Sequence, residues 1–542
     1  MAKHFVNRRE TIVTEALDGL VAASAGRLAR LDGYPDIKVV IRADWDGSKV
    51  AVVSGGGAGH EPSHAGFVGS GMLTAAVSGE IFASPSVEAV LAGIRAATGP
   101  AGCLLIVKNY TGDRLNFGLA AERARAEGLQ VEMAIVADDI ALPDLPQPRG
   151  VAGTLFVHKI AGHLSEAGAD LATVAAAARA AAGDIRSLGV ALSSCAIPGQ
   201  PFEARMGEDE AELGLGIHGE PGVERIALAE ISRIVAVMAD RLLAPLPPGA
   251  EDHALILNNL GAVPPIEMGV IAHAVLQSPL GQRVGLLLGP GPYMTALNMN
   301  GFSMSLMRLD PDRAAALSAP VGPAAWSGVT RPAPVTLRPL AARRAEDSEP
   351  ASENPALEAA IRAACDRLLA LEAELNRLDG KAGDGDTGST LAAGARSLIA
   401  ALPLLPLADP AATAARIGAL IATSMGGSSG VLLSILFTAA GQQLAEGAAL
   451  DEAFRAGLAR MQFYGGAAPG DRTMIDALDP ALAALPDGLA AAATAAQAGA
   501  ETTAGMARAR AGRSAYLGGT DLTGSPDPGA LAVAAVFAAL AP

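Results

Sequence analysis

Three aspartates crowd one short stretch, Asp379-Gly-Lys-Ala-Gly-Asp384-Gly-Asp386-Thr387-Gly388-Ser389-Thr390. The intervening glycines permit backbone geometries that a Cβ resists, so the loop can turn its carboxylates toward one point. Carboxylates brought together repel unless a hard cation lies between them. Mg²⁺ suits this arrangement, since it takes oxygen ligands from a few carboxylates and from substrate phosphates. The hydroxyl residues that follow can open a helix, whose free N–H groups attract phosphate. An EF-hand calcium loop needs a glutamate at its twelfth position, and none is correctly placed here. A solvated acidic turn is the plain alternative for this stretch alone.

A second set of candidates lies in the first half of the chain. The stretches are Ser54-Gly-Gly-Gly57-Ala58-Gly59-His60-Glu-Pro-Ser-His64, Lys108-Asn109-Tyr-Thr-Gly-Asp113 and Gly216-Ile-His218-Gly-Glu-Pro-Gly222. Each follows an apolar run that reads as a strand, and open α/β sheets place their ligands at strand ends. The glycine spacing is not that of a dinucleotide fold. Polar residues at a strand end also occur simply where the chain meets solvent, so the three stretches gain weight only together.

The elements that position these residues divide into two parts. Apolar runs at 37–41, 50–53, 103–107 and 131–136 predict strands, and 151–182 predicts helix. Further strands are expected at 189–195, around 213–218, at 252–260 and at 282–288, with a helix near 266–276 and turns at 289–293 and 298–301. Residues 1–330 thus read as a two-lobed α/β module split near 185. The stretch 331–354 is rich in proline and charge and reads as a linker. From 355 to 542 the periodicity is helical, at 357–378, 391–402, 411–425, 431–444 and 476–511. This all-α module carries three more glycine loops, each expected to open a helix toward an anion. They hold Ser428 and Ser429, then Gly470, then Asp527, Pro528 and Gly529, while Arg513 is a charge partner for phosphate.

The 542-residue length alone suggests about three or four domains. Half the residues are hydrophobic but only 3% aromatic, so Ala, Leu, Val and Gly must fill the cores. A formal charge of −16 excludes the basic face of a nucleic-acid binder. Three widely spaced cysteines form neither a disulfide framework nor a zinc cluster, which fits a reducing cytosol. The N-terminus has no signal-peptide pattern, and no apolar run reaches the roughly 20 residues of a membrane span. A cytoplasmic protein without a membrane or nucleic-acid partner is expected.

The motifs at 55–69, 108–113, 216–222, 379–390 and 527–530 together resemble the single-chain, ATP-dependent dihydroxyacetone kinase family, in this order and over nearly the whole chain. The resemblance implies a two-lobed α/β substrate module followed by an all-α helical-barrel nucleotide module. It implies that His218 holds the ketone substrate as a hemiaminal, that His60 is a general acid/base, and that Asp113 is its partner near the substrate hydroxyl. Gly57, Ala58, Gly59 and Lys108 match substrate contacts. Asp379, Asp384 and Asp386 match Mg²⁺ ligands, with two ions expected. Thr387 to Thr390, Ser428, Ser429, Gly470, Arg513 and Asp527 to Gly529 match contacts to ATP. A homodimer is also implied. With both modules fused and none following them, free ATP is the expected donor.

The leading expectation is therefore transfer of the γ-phosphate of ATP to a hydroxyl of dihydroxyacetone. The matched residues grip the hydroxyketone end common to longer ketoses, so a kinase for erythrulose stays open. Relatives that split FAD to a cyclic flavin phosphate make a lyase side activity a further alternative. A non-catalytic ketose sensor need not keep the histidines and the three aspartates together, as this chain does.

Overall fold

The computed structural model describes residues 4–142, 147–202, 204–244, 246, 252–340, 349–381, 383–511, 515 and 522–541. Two compact units divide the chain, Met1–Leu337 and Arg338–Pro542, fewer than length alone suggests.

In the first unit, helix α1 (Ile12–Ala23) leads into strands β1 (Leu28–Arg30), β2 (Val39–Arg42), β3 (Ala51–Ala58) and β4 (Ala75–Ile81). Helix α2 (Val87–Ala97), β5 (Cys103–Lys108), α3 (Thr111–Ala126) and β6 (Val131–Val136) follow. The sheet order is β1-β2-β4-β3-β5-β6, and β4, β3, β5 and β6 run parallel. A parallel strand covered on both faces needs an unbroken apolar run. Strand β5 has one, and it is buried along its whole length.

Helices α4 (Thr154–Glu166) and α5 (Leu171–Asp184) separate this sheet from a second one. The second comprises β7 (Ile185–Ser193), β8 (Glu210–Leu213), β9 (Glu224–Ala227), β10 (His253–Asn259), β11 (Val284–Gly291), β12 (Asn300–Arg308) and β13 (Val329–Thr330). Its order is β13-β11-β10-β12-β7-β8-β9, and only β10 and β11 pair in parallel. Helices α6 (Ile231–Leu243), α7 (Pro265–Gln277) and α8 (Pro311–Ser318) complete the unit. One apolar cluster joins α2 and α3 to the first sheet, a second unites α4 and α5 with both sheets, and a third joins α6 and α7 to the second sheet. The unit is thus layered α–β–α–β–α.

Three expectations need correction. The glycines after Val53 do not form a loop: β3 runs on through them to Ala58. A Cβ on Gly55 would lie 2.1 Å from the Val77 carbonyl oxygen of β4, so the strands can pair this closely only without a side chain there. The segment 214–222 is not strand, because β8 ends at Leu213 and the chain then loops round to β9. The turn expected at 298–301 gives way at Asn300 to β12. In β12, Phe302, Met304 and Leu306 face the α6–α7 core, while Ser303 and Ser305 bond to Asn258 and Ser187 on the opposite face. That alternation is a strand signal, hidden behind an Asn-Gly pair.

In the second unit the helices are α9 (Pro355–Ala370), α10 (Glu372–Asp379), α11 (Thr387–Ala401), α12 (Pro410–Ser424), α13 (Gly427–Ala445), α14 (Leu450–Gly465), α15 (Ile475–Ala484), α16 (Leu489–Ala504) and α17 (Pro528–Leu540). The helix expected over 476–511 is broken by a 3-10 turn at Leu485–Asp487, followed by Gly488 at φ 106°. Helix α9 packs on α11, each helix from α11 to α16 packs on the next, α10 lies against α11, and α17 packs back on α9, which closes a ring. Residues 331–340 are almost wholly exposed and without regular structure, and 341–348 lie outside the described residues.

Gly55→Ala is expected to destabilise the first unit by about 1–3 kcal/mol, the usual penalty for overpacking. Urea unfolding followed by a probe in that unit measures it. An unchanged midpoint would show that β3 and β4 can part without cost.

Candidate active site

In the first unit the site forms where the end of β3 meets a loop of the second sheet. His60 follows the strand and is fully buried. Its Nδ1 lies 2.8 Å from the Thr295 carbonyl oxygen, and its Nε2 lies 3.1 Å from Nε2 of His218. A carbonyl only accepts, so His60 Nδ1 carries a hydrogen and its Nε2 presents a lone pair in the neutral ring. Burial holds the His60 imidazole well below its usual pKa, and the charge of Lys108 pushes the same way. His218 stands in the β8–β9 loop, with Nδ1 3.3 Å from Glu220 Oε1, while its backbone N–H donates to Glu220 Oε2 at 2.9 Å. Phe82 stacks on His60 and meets His218 edge-on, and the Tyr110 ring closes on His218 at 4.4 Å. Phe82 holds a left-handed backbone at φ 58°, unusual for a bulky residue and a mark of a constrained site.

The 82–84 segment links the histidines to the second group. Ser84 donates to Asp113 Oδ1 at 2.5 Å, and Asp113 lies in the first turn of α3. Lys108, at the end of β5, is fully buried, with Nζ 3.1 Å from His64 Nε2. A Cβ on Gly56 would lie 2.7 Å from that Nζ and 3.3 Å from Asp113 Oδ2, so a glycine there leaves room for both groups. Gly57 presses against the backbone of Phe82 and Ala83, and the carbonyls of Ala58 and Gly59 accept from Phe82 and Leu297.

In the second unit, Asp379, Asp384 and Asp386 offer carboxylate oxygens within 4.8 Å of one another. This all-oxygen set fits a hard divalent cation such as Mg²⁺. Asp379 Oδ2 accepts from the backbone of Gly385, Asp386 and Thr387 at 3.0, 3.0 and 3.3 Å, which folds the loop back on itself. The Ser389 N–H donates to Asn376 at 3.0 Å. Two N–H groups at the start of α11 are therefore held by protein, contrary to the expectation that this turn presents free donors. A Cβ on Gly388 would lie 2.1 Å from the Glu372 carbonyl oxygen, so close helix packing alone requires that glycine.

The other glycine loops converge on the same end of the ring. Helices joined by short connections pack antiparallel, so alternate connections share an end. The α10–α11, α12–α13, α14–α15 and α16–α17 connections form one such set. Hydrogen bonds tie three of them together: Lys381 donates to the Ser525 hydroxyl at 3.0 Å, and Arg472 donates to the Ser525 carbonyl at 2.7 Å. Ser428 and Ser429 lie in the first turn of α13, and Gly470 donates to Asp476 from a left-handed turn. Asp527 caps α17 by accepting from the Ala530 N–H at 2.9 Å, with Pro528 and Gly529 buried behind it. Arg513 lies outside the described residues.

Sequence reasoning missed several residues in this neighbourhood. Ser84, Phe82 and Thr295 come from segments with no motif. Glu220 was in view only as part of a turn. Arg472 is 2% exposed, and its Nε and Nη1 have no hydrogen-bond partner among the described residues, which marks it as a buried cation facing the loop cluster.

Residues 18–325 match the Dak1 domain and residues 381–542 the DAK2 domain. The chain belongs to the dihydroxyacetone kinase family. It is 50% identical over 548 residues to a dihydroxyacetone kinase of Citrobacter freundii, covering 100% of this chain and 99% of that one. The crystal structure of the C. freundii dihydroxyacetone kinase in complex with AMP-PNP and Mg²⁺ matches with a TM-score of 0.86 at 49% identity, again covering 100% and 99%. A human triokinase/FMN cyclase is 42% identical over 575 residues, covering 99% of each chain.

Burial raises the Asp527 carboxyl to about 6, outweighing the cap hydrogen bond and the pull of Arg472. A carboxyl whose folded pKa exceeds its unfolded value favours the fold at low pH, and that contribution is lost as pH rises through the folded value. Asp527→Asn keeps the cap and removes the charge. The variant should therefore gain stability on the parent from about pH 4 to about pH 7, by on the order of 3 kcal/mol, and stay level above that range. Thermal melts across pH without nucleotide or metal check this, and a difference that does not change with pH would refute it.

Proposed function

We propose that this chain is an ATP-dependent dihydroxyacetone kinase, which passes the γ-phosphate of ATP to a hydroxyl of dihydroxyacetone and releases ADP. The observation that carries the reading is the pair of imidazoles, buried His60 and half-buried His218, at 3.1 Å beside Lys108 and Asp113. A small ketone has few handles for recognition. Addition of His218 Nε2 to its carbonyl carbon gives a hemiaminal, a tether unavailable to glycerol. His60 stands where it can exchange a proton with the carbonyl oxygen. Asp113 is the carboxylate toward which a substrate hydroxyl proton moves, its geometry set by Ser84. Gly57, Ala58 and Gly59 shape the strand end against which the substrate rests.

On the donor side, Asp379, Asp384 and Asp386 are the residues to hold Mg²⁺, with two ions in the reading. Bound there, Mg²⁺ neutralises charge on the phosphates during transfer. Thr387 to Thr390, Ser428, Ser429, Gly470 and Asp527 to Gly529 contact the nucleotide. The crystal structure of the C. freundii kinase with AMP-PNP and Mg²⁺ supports this choice of donor and metal.

The 42% identity to a triokinase/FMN cyclase supports a second reading, in which the carboxylate loop also serves cleavage of FAD to a cyclic flavin phosphate. That reaction needs no ketone and so no His218. The cytosol is the proposed compartment, consistent with three free, buried cysteines, and a homodimer is the proposed assembly, which sedimentation tests.

A coupled ADP-release assay with Mg²⁺-ATP compares dihydroxyacetone, both erythrulose enantiomers, glyceraldehyde and glycerol. Preference for dihydroxyacetone is the expected outcome, and turnover of none of them would overturn the reading. His218→Ala should abolish both turnover and ketone capture. Asp384→Ala should abolish turnover and leave ketone capture intact. Loss of capture in the aspartate variant would contradict the division of work between the two units.

A further inference from the structure

The hydrogen bonds around His60 and His218 constrain where protons can be. His60 Nδ1 faces the Thr295 carbonyl oxygen and must carry a hydrogen, so a neutral His60 has a bare Nε2. His218 Nδ1 faces a carboxylate oxygen of Glu220 and must carry a hydrogen as well. The two Nε2 atoms then face each other at 3.1 Å, and two lone pairs at that distance repel. One proton between them resolves the conflict. The pair then bears a single positive charge, and Glu220 is the anion beside it. Burial alone would raise the Glu220 carboxyl, but the hydrogen bond and charge of His218 hold it at about 2, so it remains an anion near neutrality.

The remaining surroundings leave this role to Glu220. Phe82 and Tyr110 pack on the imidazoles as rings. Asp139 pairs with Arg149 at 2.7 Å, and Arg149 also donates to the Gly214 carbonyl. Burial lowers the Lys108 ammonium's pKa against the pull of Asp113, and any charge it carries opposes rather than supports charge on the pair. Gly216 makes the geometry possible, because a Cβ there would lie 2.0 Å from Glu220 Oε2.

We infer that Glu220 is a positioning residue that holds His218 in its Nδ1–H form and keeps one proton stored between the two histidines, and that this proton becomes the hydroxyl proton of the hemiaminal. The inference rests on the hemiaminal reading above. The shared proton passes to His60 Nε2, which frees the lone pair of His218 Nε2. That lone pair forms the bond to the carbonyl carbon, and the C=O π electrons move to oxygen. His60 Nε2–H then delivers its proton to that oxygen. The product is a hydroxyl group on a carbon bonded to Nε2 of a His218 imidazolium, whose Nδ1–H still faces Glu220. His60 ends neutral. The site carries one positive charge before and after capture, and no proton crosses from solvent.

Titration calorimetry of the full chain with dihydroxyacetone at pH 7, in buffers of differing ionisation enthalpy, counts protons taken up on binding. The wild-type protein should take up none. Glu220→Gln removes the anion, so its histidine pair should rest neutral, take up about one proton per ketone bound and bind roughly 10- to 100-fold more weakly, the range of a charge-assisted hydrogen bond. Glu220→Asp should restore the wild-type proton count. Simple damage to the fold would weaken binding but would not produce proton uptake that aspartate reverses. Uptake of about one proton by the wild type, or an unchanged count in Glu220→Gln, would overturn the inference. ¹³C NMR with dihydroxyacetone labelled at the carbonyl separates this from failure of the hemiaminal reading. A tetrahedral carbon signal in the wild type with the wrong proton count defeats only the stored proton, whereas its absence defeats both.

Discussion

The hydrogen bond between His60 and the carbonyl of Thr295 governs much of the first unit's chemistry. It joins the end of a strand in one sheet to a loop of the other, and it fixes which nitrogen of His60 is bare. Neighbouring bonds reinforce the seam: Ser63 donates to the Tyr293 carbonyl at 2.8 Å, the Thr295 hydroxyl to the Glu61 carbonyl at 2.9 Å, and the Leu297 N–H to Gly59 at 2.8 Å. The seam lies where two independently ordered sheets meet over shared helices. A small displacement of either sheet would separate His60 from Thr295 and His218 and leave that buried imidazole without partners. In a dry setting each such loss is costly, since an unpaired polar group there has no water to turn to.

The second unit solves a different problem with the same economy of side chains. Its helices are rich in alanine and glycine, and they approach closely enough that added methyl groups would strike backbone at several crossings, as at Gly457 against Leu436 and Gly499 against Asp476. Hydrogen bonds draw the loops together at one end of the ring. Polar groups crowded there must satisfy each other or a ligand. Among the described residues, Arg472 meets the first requirement through one nitrogen, and its left-handed backbone at φ 61° shows how far the loop bends to bury it.

Much of this was legible in the chain because the signals were local. The run Cys103–Val107 reads as a buried strand on apolar content alone, and the proline- and charge-rich change after Thr330 marks the passage to helices. The carboxylate loop was legible because its ligand types lie within a few residues of one another. What escaped notice depended on distance along the chain. Thr295 acts on His60 from 235 positions away, and nothing in Pro-Tyr-Met-Thr-Ala announces it. Glu220 was visible as a residue but not as a partner, since only the fold of the β8–β9 loop turns it back on His218. The glycines of β3 misled for a physical reason: glycine usually marks a turn, yet here it admits a neighbouring strand and a buried lysine.

Closure of the helical ring has a consequence for how the protein is made. Apart from the contacts of α17 with α9, α10 and α11, the ring's seams join helices that are neighbours or near neighbours in the chain, so most of the ring can assemble from local contacts as the chain grows. The last seam, α17 on α9, must wait for the final helix. Ser525 and Asp527, which draw Lys381 and Arg472 into the loop cluster and cap that helix, arrive with it. A chain that has built seven helices of the ring still lacks the α16–α17 connection that ties its loop cluster together. Any ligand that needs the whole loop cluster can therefore support folding only once α17 has been made.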